Sequence, residues 1–143
     1  MTSTELENLA RAGDLAKEPG NQKEFDGLVG SGRVWLRDAR NTSNAPESRF
    51  ELAYGAAHAF SLAALRWHGY RSDNRFMVFQ ALPHTLGVAS SDWRLLAKCH
   101  RQRNKTDYEG HFDVGERLLS DLLVVTERLG DAVARLGPVP GSK

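Results

Sequence analysis

The chain has a single cysteine, Cys99, and so can form no internal disulfide. That excludes the small secreted scaffold that relies on bridges in place of a core, and it fits a reducing cytoplasm. No run approaches the roughly 18 to 20 apolar residues needed to span a bilayer, because Arg66, His68 and Glu127 interrupt the longest stretches. Met1 to Ala16 lacks the apolar centre of a secretory signal. No His, Cys or carboxylate pair recurs at a metal-binding spacing such as HxxxH or CxxC, so neither a metal site nor another cofactor is expected. Gly27-Leu28-Val29-Gly30-Ser31-Gly32 has neither the GK[ST] ending of a phosphate loop nor a strand before it. Repeats, low-complexity segments and strand-like alternation are absent too. The formal charge of +1 leaves any nucleic-acid footprint to a local patch.

What is present is helical pattern. At 143 residues, 41% apolar and 26% charged, the chain has the size and composition of one soluble domain with a real core. Leu6, Leu9 and Leu15 mark a weak first helix or arm over residues 1–20, ended by Pro19-Gly20. Asn21 with Glu24 has capping-box spacing, and Phe25, Leu28, Val29, Gly32, Leu36 and Ala39 then trace one helix face. Gly27, Gly30 and Gly32 each cost that helix up to about 1 kcal/mol. Either a neighbouring backbone approaches there, or the surface is simply a poor helix former.

Asn44 and Glu47 repeat the cap spacing around Pro46, ahead of a strongly helical stretch from Ser48 to about Tyr70. Its residues are apolar nearly all round, which predicts a central helix contacted on several sides. Gly69 suits its C-terminal end. Phe76 to Leu82 reads as a short helix limited by Pro83 and Gly87, and Ser90-Ser91-Asp92 caps a longer one from Trp93. A final helix, about 113 to 136, carries Leu118, Leu122, Val125, Leu129, Val133 and Leu136 as one seam. The expected fold is all-α, a four-to-five-helix up-and-down bundle over 21–136 with a short extra helix and a disordered tail at 137–143.

The densest chemistry lies in His100-Arg101-Gln102-Arg103-Asn104-Lys105-Thr106-Asp107-Tyr108-Glu109-Gly110-His111. Trp93, Leu96, His100 and Arg103 share one helical side, which Asp107 and His111 would continue. Arg103 is thereby expected to face the bundle or a partner. The plain alternative is that Arg101, Arg103 and Lys105 complement a helix dipole while Asn104 or Gly110 ends the helix. Arg94, Lys98, Arg101, Arg103 and Lys105 form a basic run that could follow a phosphate backbone or simply be solvated. His58 reads as a hydrogen-bonded structural histidine, His68 and His84 as surface or helix-end residues, and Cys99 as a small buried hydrophobe.

Tyr54-Gly55-Ala56-Ala57-His58-Ala59-Phe60, then His68-Gly69-Tyr70-Arg71, then Arg103-Asn104-Lys105-Thr106-Asp107-Tyr108 before a long last helix, together resemble the HEPN domains. The resemblance covers about residues 23 to 135. It implies a helical bundle that pairs with a second copy, in a toxin–antitoxin or defence-type module, often beside a nucleotidyltransferase. Active members of that family are metal-independent endoribonucleases with an Arg, commonly followed by Asn, Asp or His, and a His after a gap of four to six residues. Arg103-Asn104 matches the first half. A gap of four from Arg103 reaches Tyr108, five Glu109 and six Gly110, while His111 is one step too far.

RNA cleavage through the ribose 2′-OH needs a base, an acid and a cation on the phosphorane. Arg103 supplies the cation, whereas Tyr108 is a poor base at neutral pH. The expected role is therefore a homodimeric binding partner of a nucleotidyltransferase, an antitoxin or RNA, with no membrane contact. Arg103, Asn104, Asp107, Tyr108 and His111 would form its site, and Lys98, Arg101 and Lys105 would line the RNA. In the nucleotidyltransferase case Tyr108 becomes a nucleotidyl acceptor. The alternative is an endoribonuclease toxin using Arg103 with Tyr108 or His111, and His100 enters only if it faces the same cleft.

Overall fold

A computed structural model of the chain describes residues 3–105 in full, the backbone of 106–109, and residues 115–141. These residues form α1 (Thr4–Arg11), β1 (Ala16–Lys17), α2 (Gln22–Arg40), α3 (Pro46–Trp67), β2 (Tyr70–Arg71), α4 (Arg75–Gln80), α5 (Leu82–Thr85), α6 (Ser90–Glu109) and α7 (Glu116–Ala134). The fold is an all-α bundle of the four long helices α2, α3, α6 and α7, with three short ones added. One pairing has no sequence signal: β1 and β2 run antiparallel, Ala16 opposite Arg71 and Lys17 opposite Tyr70.

α3 is the central helix, in contact with α2, α4, α5, α6 and α7. Between Phe50 and Arg66 its side chains are buried except at Glu51, Leu52, Gly55, His58 and Leu62. Phe60 lies between two glycines. A Cβ on Gly32 of α2 would come within 2.6 Å of its ring, and one on Gly130 of α7 within 3.1 Å. Close approach thus explains Gly32, though it is to a side chain. Gly27 and Gly30 face open space, so for them the low-propensity surface is the answer.

The first helix is anchored. Ser3 caps it, and Leu6 is fully buried with Leu15, Leu65, Tyr70, Val78 and Ala81 in a second, smaller core. Behind it sits Arg66, only 2% exposed. Its guanidinium bonds the Glu24 carboxylate at 2.5 Å and the backbone carbonyls of Glu18 and Pro19 at 2.8 and 2.7 Å. Arg71 reaches Glu18 and Glu24 as well. Burial disfavours the Glu24 carboxylate, but bonds from Arg66 and Arg71 outweigh it and lower its pKa overall.

Asn21 caps α2 as its spacing predicts, accepting from the Glu24 amide at 2.9 Å. The box is only half used, because the Glu24 carboxylate is turned to Arg66 and Arg71. Ala45, not Asn44, precedes α3, and the Asn44 amide donates instead to the Asp38 carbonyl. Pro83 sits in the first turn of α5, so it opens a helix where it was expected to limit one. The α7 seam begins at Leu119, with Leu118 only partly covered. The expected disordered tail is docked at Val139, which is buried and whose amide donates to Gln22 Oε1 at 2.7 Å. The Gly137 carbonyl accepts from the Trp67 indole.

Candidate functional site

α6 runs unbroken to Glu109, so Asn104 does not terminate it. Leu96 and Cys99 are buried on its inner side. His100 and Arg103 follow one turn later on that same side, at about 100° per residue, and both reach α3. The burial of Cys99 pushes its thiol up to about 12, as suits a packed hydrophobe.

The side chains converge on Tyr54, which is almost fully buried. Its hydroxyl lies 2.8 Å from His100 Nδ1, and Asn104 Nδ2 lies 3.2 Å from His100 Nε2. With Asn104 donating to Nε2, the ring proton is on Nδ1 and is donated to the Tyr54 oxygen. The Arg103 and Arg75 guanidiniums stand 5.3 and 5.6 Å from the Tyr54 ring centroid, within cation–π range. Arg103 Nε also meets Glu51 at 3.3 Å. Phe79 packs edge-on to both Tyr54 and His58, and Phe76 lies against His100.

This environment holds both imidazoles neutral. Burial first, then the charges of Arg75 and Arg103, lower His58 to about 4. Burial, Arg103, Arg75 and Arg101 lower His100 in the same way. Burial raises the Tyr54 phenol, and the two arginines recover only part of that shift. Neutral proton acceptors beside two fixed cations form a site suited to an oxyanion.

Of the residues expected to act together, Asn104 bonds His100 and Arg103 lies over the Tyr54 ring that His100 also contacts. His100 lies on the side of α6 that bears Arg103, with its ring against Tyr54. The Asp107 and Tyr108 side chains and the whole of His111 lie outside the described residues. Lys98, Arg101 and Lys105 are exposed, and their i, i+3, i+7 spacing puts them on the side of α6 away from Leu96 and Arg103. The basic run therefore has two faces, and only Arg103 belongs to the Tyr54 cluster.

Sequence reasoning passes over Arg75. Its one signal is a cation directly after the Asn74 cap, beside Phe76 and Phe79, and no local spacing links it to position 103. His58 packs on Phe79 and responds to the same arginines, which makes it part of the cluster's rim. His68 closes α3 with its ring against the Thr85 carbonyl, a helix-end residue as expected. Among the described residues no group of three or more His, Cys, Asp or Glu could hold a metal ion, and no described helix is long and apolar enough to cross a membrane. Comparison of the chain with protein-family models, curated proteins and solved structures found no match.

Proposed function

We propose that the chain is a HEPN-like domain of a toxin–antitoxin or defence-type module, acting as a cytoplasmic homodimer that binds RNA phosphate at the Arg75–Arg103 cluster. The observation that carries this reading is the placement of two guanidiniums on one tyrosine ring beside a hydrogen-bonded neutral histidine. Both cations border one ring, and an oxyanion docked beside it is attracted by each of them. A phosphodiester supplies such an oxyanion without needing a metal bridge.

Arg103→Ala and Arg75→Ala, alone and combined, test it by salt-titrated fluorescence anisotropy on labelled RNA. Each is expected to weaken binding and to reduce the salt slope by about 1 for each phosphate left without its guanidinium. Unchanged affinity and slope in the double variant would remove the proposal. Light scattering of the wild type is expected to give the mass of two chains.

The position of His100 favours a second reading, a metal-independent endoribonuclease. His100 Nε2, released by the Asn104 amide, then takes the 2′-OH proton in place of Tyr108 or His111, as the 2′ oxygen attacks phosphorus. The 5′ oxygen leaves with a proton from solvent, and the two arginines stabilise the phosphorane. Cleavage in excess chelator that is lost in His100→Gln, with RNA binding retained, supports it. No cleavage by the wild type disposes of it and leaves binding as the role.

A further inference from the structure

Trp35 on α2 is 40% exposed, one of the large apolar side chains that the bundle leaves facing water. Single exposed apolar residues are common and need no explanation by themselves. The position of this one does. Its six-membered ring rests on Gly55 of α3, where an added Cβ would stand 3.5 Å from Cε3 and 3.8 Å from Cζ3. Gly55 lies in the narrow strip by which α3 reaches the surface, Glu51–Gly55–His58–Leu62, at spacings of four, three and four. One flank of that strip carries Arg103, paired with Glu51, and next to it Tyr54 with Arg75 and His100. The other flank carries Trp35.

An indole face and a pair of guanidiniums therefore border the same helix strip from opposite sides. The helix between them is ~10 Å wide, a width that a short stretch of extended single strand covers. The strip between them carries the exposed Glu51 carboxylate, which an apolar protein partner seated there would have to desolvate. A base stacked on the indole leaves it in water. We infer that Trp35 is a stacking platform for a base of single-stranded RNA whose neighbouring phosphate sits at Arg75 and Arg103. This rests on the phosphate-binding role proposed above and specifies its ligand as unpaired nucleic acid. Stacking is indifferent to sequence and is denied to paired bases, so the platform selects strandedness.

The test measures binding of three probes by anisotropy: a single-stranded oligoadenylate, the same strand annealed to oligouridylate, and an abasic oligoribonucleotide. The wild type is expected to prefer the single strand over the duplex and over the abasic strand. Trp35→Ala is expected to weaken oligoadenylate binding on the order of ten-fold, as loss of one base–aromatic stack does, with the salt slope unchanged. Trp35→Phe should retain most of the affinity, and neither variant should alter abasic binding. Oligoadenylate binding that survives Trp35→Ala overturns the platform and leaves the phosphate site standing. No salt-dependent binding of any probe by the wild type overturns both. A Trp35→Ala protein whose solution mass falls from two chains to one also overturns the platform, and assigns the indole to an interface between copies.

Discussion

At the scale of single residues, the site is a balance between burial and charge. His58 illustrates it, because burial first, and then the cations that would attract a phosphate, keep its imidazole neutral. Its pKa falls from 6.5 to about 4 on folding, so between those values the unfolded chain binds a proton that the folded chain refuses. Stability from this source is complete above about pH 6.5 and declines as the pH falls toward about 4, by up to about 3 kcal/mol over the whole window. His68 and His100 are lowered too and act in the same direction. Urea midpoints measured from about pH 7 down to about pH 5 are expected to decline, and His58→Gln to decline less. Equal slopes for the two proteins would show that His58 has an ordinary pKa. At this scale, Arg103 and Asn104 were legible in the sequence because they stand in one dense stretch. Arg75 and Tyr54 were not legible as their partners, since two other helices deliver them and no spacing within one helix encodes that meeting.

At the scale of the element, the glycines of α2 separate two causes that look identical in sequence. Gly30 meets nothing, so Gly30→Ala is expected to raise stability by up to about 1 kcal/mol through helix propensity alone. Gly32 meets Phe60, which cannot withdraw because Gly130 stands against its other edge. Gly32→Ala is therefore expected to lose about 1 to 3 kcal/mol by overpacking, more than propensity returns. Thermal unfolding of the two variants side by side checks both signs, and a stabilised Gly32→Ala would refute the clamp. The long helices were legible from apolar periodicity, and the ends of α2 and α3 from Asn21 and Gly69. The course of α6 past Asn104 was not, because a capping-prone residue there is overruled by the bond between its amide and His100 one turn earlier. The two-residue β ribbon was also invisible, being set by the Arg66 and Arg71 network rather than by any alternation of its own.

At the scale of the whole molecule, the amino-terminal segment is part of the fold and not an arm beside it. Arg66 draws two of its acceptors from the backbone of residues 18 and 19, and a third from the Glu18 carboxylate at 3.1 Å. Deleting residues 1–20 removes these and exposes the pocket of Leu6, leaving a buried cation with Glu24 as its main partner. The expected loss is on the order of 3 to 5 kcal/mol, enough to abolish cooperative unfolding in a marginally stable domain. Intact cooperative denaturation of the truncated chain by circular dichroism would contradict this. The all-α class was readable from the pattern of elements. The docking of both ends was not, since the Gly-Pro tail and the Pro19-Gly20 break carry the composition of free chain and are held by long-range partners.

The grip on Phe60 reaches beyond the core. A ring wedged between Gly32 and Gly130 has no room to swing, and it fixes the roll of α3 about its own axis. Whatever loosens that wedge, even on the side remote from any ligand, lets the helix turn and carries the carboxylate and imidazole of its outward strip out of line with indole and guanidinium alike. Recognition at the surface is in this way indexed to a single aromatic plane deep inside, and it is expected to fade before the protein as a whole comes apart.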